Sequence, residues 1–331
     1  MKICTKCVLD ERFPGIRFDA DGQCSYCSSA KATQQHAAEK ARLESRFTEL
    51  LCEHRGSASY DCVVAYSGGK DSTYTLHLLR KKYGLKLLAF SFDNWFQSEM
   101  AARNIRTVLS NINVDHLTVT PRFETIKGII LASISNDMHS KKALTRASSI
   151  CTSCISFIRF VGFRIAVEQV APFLVFGMSP GQAPLATAIV KTNAPLIRIT
   201  QDGFLNLLPE QFRDMLSPLF LQERHFQNPE IFPYSVNPLA FTDYDERRIL
   251  RIAEGYGWKK PSDTDVNSTN CLLNAFANQV HIDRFGFNPY AYEIAEMVRI
   301  GYMTRKEGLD RLSQPLPAEQ IKHVKRTLGI G

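Results

Sequence analysis

The chain has 331 residues, 44% of them hydrophobic and 22% charged, the make-up of an ordinary globular protein with material for a large core. Its opening MKICTKCVLDERF has no apolar signal segment or cleavage site, and no uninterrupted apolar run approaches the ~20 residues of a membrane span, so a cytoplasmic protein without membrane contact is expected. The formal charge of +7 is spread along the chain rather than gathered into a block, which permits a phosphate-rich partner without requiring one.

Residues 1–30 carry Cys4, Cys7, Cys24 and Cys27 among turn formers such as Pro14-Gly15 and Asp21-Gly22. Two Cys-x-x-Cys pairs separated by sixteen residues have the spacing of a four-thiolate zinc site, and four thiolates leave no open coordination position, so a structural zinc knuckle is expected. Residues 31–58 read as a helical linker, with apolar positions at Ala38, Ala41, Leu43, Phe47, Leu50 and Leu51. Cys52 and Cys62 stand apart from the pairs and read as core or near-core residues.

Residues 59–235 read as an α/β domain. Strands are predicted at 62–66, 86–92, 116–119 and 173–177, helices at 99–111 and 155–169, and this alternation implies a parallel sheet with helices on both faces. Residues 178–235 hold many of the prolines and show one candidate helix near 208–216. Residues 236–331 read as a helical C-terminal region that completes the crevice, with helices near 245–256, 270–282, 290–299 and 304–312.

The most informative segment is Ser67-Gly68-Gly69-Lys70-Asp71-Ser72, between the first strand and a helix. Consecutive small residues let backbone N–H groups approach phosphate oxygens, and the helix N-terminus adds partial positive charge. It is neither a Walker loop nor a G-x-G-x-x-G turn. SGGKDS resembles the PP-loop signature of the N-type ATP pyrophosphatases, whose fold is of the adenine nucleotide alpha hydrolase type. The resemblance implies ATP and Mg²⁺ as ligands, pyrophosphate held by Ser67, Gly68, Gly69, Lys70, Asp71 and Ser72, and adenylation of a substrate oxygen, with Lys70 and Asp71 directly involved. It also implies that Asp93, at the end of the second strand, borders the adenosine; Gly177, at the end of another strand, is expected in the same crevice.

Cys151, Cys154 and Cys271 form a different set. Cys151-x-x-Cys154 reads as lying ahead of a helix, and three thiolates from two distant segments suit a [4Fe–4S] cluster with one iron left open; a redox pair, a persulfide carrier or no chemistry are the alternatives. His281, on a predicted helix, receives no role.

Two narrower resemblances differ in the incoming nucleophile; the first covers nearly the whole chain and sets the expected function, ammonia-dependent amidation, with the second as the alternative. The segments CTKCVLDERFPGIRFDADGQCSYC, YDCVVAYSGGKDSTYTLHLLR, VDHLTVTP and GYMTRKEGL are similar to those of the N-acetyl sugar amidotransferases, which implies a nucleotide-sugar substrate and ammonia from a glutaminase subunit. The chain departs from that family at Gly177-Met178-Ser179-Pro180-Gly181, where an acidic Gly-Glu-Asn-like run is expected. The loop combined with Cys151, Cys154 and Cys271 resembles the iron–sulfur tRNA thiolases, which implies sulfur transfer from a sulfur donor to a tRNA base or small molecule. A nucleotide-binding sensor or scaffold is the non-enzymatic alternative, and a homodimer is compatible with either enzyme.

Overall fold

The computed structural model describes residues 2–30, 33–265 and 267–330. Residues 1, 31 and 32, at the edges of the expected knuckle and linker, and 266 and 331 in the expected C-terminal region lie outside the described residues.

The apolar run near residue 62 forms β1 (Cys62–Ala65), followed by β2 (Leu87–Phe92), β3 (Asp115–Val119), β4 (Phe173–Phe176), β5 (Ile189–Lys191) and β6 (Tyr234–Val236), ordered β3-β2-β1-β4-β6-β5. β1 pairs in parallel with β2 on one side and β4 on the other, with Val63 opposite both Leu88 and Leu174. Because successive side chains point to opposite faces, Val63, Leu88, Phe90 and Leu174 enter one core, while Cys62, Val64, Ala89 and Val175 enter the other. Burial on both faces is why the strands read as continuous apolar runs rather than alternating ones.

The first core is closed by the helix Ser149–Glu168, which packs on β1 and β4 and against the helix Phe123–Ser135. By length and composition alone this helix could cross a membrane, but it is the central core helix, with 56% of its most apolar stretch buried inside the protein. The second core is closed by Thr33–His54, which inserts the fully buried Phe47 between Phe173, Phe241 and Tyr83, with ring centroids 5.7, 5.7 and 5.2 Å away.

Three expectations are corrected. The sheet is not wholly parallel: β5 runs antiparallel to β6 at the edge, Ile189 opposite Val236. Both are three-residue strands in the proline-rich stretch, too short to leave a periodic signal. The helix expected at 155–169 begins at Ser149, because the Ser148 side chain caps it by accepting from the Cys151 N–H at 3.1 Å. Cys62 is buried, but Cys52 lies on the solvent side of its helix and is exposed.

The N-terminal cysteines fold onto the far end of the chain. Val8, Leu9 and Phe13 pack with Phe287, Ile294 and Ala295, and Arg305 donates to the carbonyls of Cys4 and Cys7 at 2.8–3.1 Å.

Phe47→Ala is expected to cost about 3–5 kcal/mol in a guanidinium unfolding experiment, since it empties a fully buried aromatic site. A loss below about 1 kcal/mol would show that the helix is not a structural part of the second core.

Candidate functional site

β2 and β3 extend the sheet to one side of β1, and the chain then returns to place β4 on the other side. In an open α/β sheet that reversal leaves a crevice beyond the strand ends. SGGKDS occupies it, linking β1 to the helix Lys70–His77.

The loop is held by close packing. Gly68 has φ +75°, and a Cβ there would lie 2.7 Å from the Ala101 carbonyl oxygen. At Gly69 a Cβ would meet Thr269 Oγ1 at 2.8 Å, and at Gly177, just beyond β4, it would meet Ser72 Cα at 2.8 Å. The buried indole of Trp258 donates to the Gly68 carbonyl at 2.8 Å, holding that peptide in place. No side chain caps the helix, so the first-turn N–H groups, which have no intrahelical acceptor, stay available to an anion. Ser67 and Ser72 lie hydroxyl to hydroxyl at 3.2 Å beside them.

Lys70 points elsewhere. Its ammonium reaches the Asp71 carboxylate at 2.9 and 3.0 Å, the Tyr244 hydroxyl at 3.0 Å and Glu246 at 3.3 Å, in a chamber of about 350 Å³ that adjoins the crevice through Asp71, Gln182 and Tyr290. Burial works against that charge, but Asp71, Tyr244 and Glu246 outweigh it and raise the Lys70 pKa. In the same chamber Glu293 accepts from Ser179 Oγ at 2.8 Å and Gln182 Nε2 at 3.0 Å, while its own burial pushes its carboxyl above the usual range.

The crevice itself is a cleft of about 330 Å³ lined by Ser67, Gly69, Asp71, Ser72 and Gly177 and, on its other wall, by Cys151, Cys154 and Cys271. Cys151 and Cys154 share a face at the start of the Ser149–Glu168 helix, three residues apart. Cys271 arrives from much later in the chain because Asn270 and Leu272 pair with Ser98 and Phe96 across a β-bridge at Gln97. Asn94 Nδ2 approaches the Cys271 sulfur at 3.5 Å, and the Cys151 thiol donates to Asn274 Oδ1 at 3.8 Å. Burial pushes the Cys151 thiol up to about 12 and raises Cys154 and Cys271 as well, so without a metal all three are neutral thiols.

The knuckle differs. Its four sulfurs lie within 4.8 Å of one another, with Cys4–Cys27 at 3.9 Å and Cys7–Cys24 at 3.7 Å. Four bonds of ~2.3 Å to one tetrahedral ion give sulfur separations of about 3.8 Å, so the donor set fits a single ion. Burial raises the Cys4 thiol, but N–H groups of Cys7, Lys6 and Cys24 aimed at its sulfur outweigh that and lower it to about 7. Among the described residues no other group of three or more potential ligands converges as tightly, so the cleft thiols do not present a single-ion geometry.

Of the residues singled out in the sequence, Ser67, Gly69, Asp71, Ser72, Gly177 and the three cysteines meet in the cleft, Gly68 shapes the loop, and Lys70 lies in the adjoining chamber. Asp93 does not line the cleft: its carboxylate accepts from the Trp95 N–H at 2.9 Å to close a turn, and the neighbouring Asn94 faces the cavity instead. His281 is buried against Phe285 and Phe287, away from the cleft. Sequence reasoning missed Tyr290, Asn274 and Trp258. The only signal for these was the polar run Asn267-Ser268-Thr269-Asn270 ahead of Cys271.

No family model matches the chain. The uncharacterized protein MJ1599 of Methanocaldococcus jannaschii is 23% identical over 290 residues, spanning 87% of this chain and 86% of that one. Among solved structures, the U34-tRNA thiolase NcsA from Methanococcus maripaludis, determined with its [4Fe–4S] cluster, covers 100% of this chain and 99% of its own at 16% identity and a TM-score of 0.37. The NMN synthetase from Francisella tularensis covers 91% and 98% at 9% identity and a TM-score of 0.40. Likenesses of this size transfer nothing about function, and the site is read from its own residues.

Elemental analysis of the purified chain is expected to find about one tightly held knuckle ion, which Cys24→Ser should release together with protection of residues 2–30 from limited proteolysis. Unchanged metal content in Cys24→Ser would show that the four sulfurs do not act as one ligand set.

Proposed function

We propose that the protein is an ATP pyrophosphatase of the PP-loop kind that adenylates a substrate oxygen and then replaces it with sulfur. The observation that carries this reading is the shared cleft: the phosphate-accepting loop and three thiols face the same 330 Å³ space. An ammonia-dependent amidation needs no thiol there.

On this reading the β and γ phosphates lie on the free N–H groups after Gly69, with the hydroxyls of Ser67 and Ser72 beside them. Charge developing on the departing pyrophosphate then meets donors already fixed by the packing at Gly68, Gly69 and Gly177. Asp71, with one side in the cleft and the other against Lys70, is the carboxylate placed to hold a phosphate-bound magnesium. Lys70 supplies positive charge from the adjoining chamber, where Tyr244 orients it by donating to Asp71 at 2.9 Å while accepting from Lys70.

Cys151, Cys154 and Cys271 would hold a [4Fe–4S] cluster through three of its irons; when bound, the open fourth iron would supply the site for the incoming sulfur. A cluster is wider than one ion, which suits three thiols that line one wall without closing to single-ion distances. The knuckle ion, zinc on this reading, is structural. The acceptor is a tRNA base or a small molecule bearing an oxygen that adenylation turns into a leaving group.

A second reading, amidation of an N-acetyl sugar nucleotide with ammonia from a glutaminase, is favoured by the sequence similarity that runs from Cys4 to Leu309. It shares the adenylation step and differs only in what displaces AMP.

Purified without oxygen, the wild-type chain is expected to be brown, with about four irons per chain beyond the knuckle ion, and Cys271→Ala to be colourless while still binding ATP. A colourless wild type whose turnover requires a glutaminase would establish amidation instead. Lys70→Ala is expected to slow acceptor-dependent pyrophosphate release on the order of 100-fold; full activity in that variant would remove Lys70 from the reaction.

A further inference from the structure

The segment that leaves β2 supplies Phe92, Asn94 and Gln97 to one wall of the cleft. Between them Trp95 turns outward instead. It is 51% exposed, and among the exposed large hydrophobic residues described it is the one aromatic ring.

The backbone holds it there under strain. Trp95 has φ +68°, a left-handed conformation that costs a bulky residue about 1–3 kcal/mol. The kink is pinned on both sides: the Asp93 carboxylate accepts from the Trp95 N–H at 2.9 Å, and the Asn94 side chain accepts from the Phe96 N–H at 3.0 Å. The ring is fixed as well. Its Nε1 donates to the Pro121 carbonyl at 2.7 Å, and the Phe123 ring meets it edge-on at 74°, with centroids 5.9 Å apart. The polar edge of the indole is thus satisfied within the protein, and what it offers outward is π surface.

Arg122 lies between those two supports. It is exposed, and among the described residues its guanidinium makes no hydrogen bond or ion pair. A fixed aromatic face with a free guanidinium beside it suits a nucleobase and its phosphate, because stacking tolerates any base and the arginine fork takes phosphate oxygens in pairs. The adenine of a bound ATP has rings of its own inside the cleft, Phe90 and Phe92, and Trp95 does not line that space. The platform therefore suits a part of the acceptor that stays outside while its reacting oxygen is within.

We propose that Trp95 and Arg122 form a subsite at the cleft mouth for a nucleotide portion of the acceptor, the indole stacked on its base and the guanidinium paired with its phosphate. The proposal rests on reading the cleft as an adenylation site. It applies whether the nucleotide belongs to RNA or to a nucleotide sugar.

The test is calorimetric titration of the full chain, with its knuckle ion, using a single-stranded RNA hexamer, UDP-N-acetylglucosamine, ribose 5-phosphate and ATP. At least one of the first two is expected to bind, and which one does names the source of the nucleotide. Ribose 5-phosphate, which has no base, should bind at least about ten-fold more weakly. Trp95→Leu should weaken the acceptor nucleotide about ten-fold or more and Trp95→Phe should restore part of the loss, while Arg122→Gln should cost about ten-fold. ATP affinity should be unchanged in all three variants. Of the two tryptophans Trp258 is buried, so the acceptor nucleotide should also shield the accessible indole emission of the wild type from acrylamide.

The subsite is overturned if neither nucleotide binds, or if Trp95→Leu loses ATP rather than the acceptor nucleotide. It is equally overturned if Trp95→Leu binds that nucleotide like wild type, and abolished self-association of this variant in sedimentation would then make the ring a contact between copies. Failure of the wild-type chain to bind ATP would overturn the adenylation reading and the acceptor role with it, whereas these failures alongside normal ATP binding overturn the subsite alone.

Discussion

Everything at the mouth of the sheet follows from backbone packed against backbone. Gly68, Gly69 and Gly177 each sit where a single methyl group would collide with a carbonyl, a hydroxyl or a helix Cα, and Trp258 holds the Gly68 carbonyl by a hydrogen bond. A loop held this way does not have to be ordered by what it binds, so its N–H groups act as fixed dipoles. The same compression brings β4 close enough to the Lys70–His77 helix for one cleft to be bounded by both, and that cleft is where the later cysteines arrive.

The two cysteine sets show how distance divides similar chemistry. In the knuckle, four sulfurs close on one point; backbone N–H groups favour a charged sulfur at Cys4, while burial raises Cys7 and Cys27. In the cleft, three sulfurs spread along a wall under burial that favours the protonated form. The first arrangement fits an ion that finishes the fold, and the second leaves the sulfurs open toward a bound molecule.

Much of the frame was legible in the sequence because the central strands are buried on both faces and so appear as unbroken apolar runs. The SGGKDS loop was legible because its glycines are demanded locally. The strands β5 and β6 beyond β4 were not, since three residues in a proline-rich stretch carry no period. Asp93 looked like the cleft residue, being the charged one at a strand end, but a short carboxylate beside a free N–H closes its own turn and hands the position to Asn94. Tyr290 and Trp258 reach the cleft and its loop through tertiary packing with nothing in their immediate sequence to mark them, and Asn274 is marked only by the polar run 267–270 ahead of it.

The knuckle's apolar face rests on Phe287, Ile294 and Ala295, and its Cys4 and Cys7 carbonyls are gripped by Arg305, some three hundred residues further on. During synthesis, therefore, the knuckle's apolar surface stays uncovered until residues some three hundred positions further on have been made, a contact of very high sequence separation. A chain cut before residue 287 would leave the knuckle's apolar face with nothing to close upon, and one cut between 295 and 305 would keep that packing but lose the grip of Arg305 on the two carbonyls.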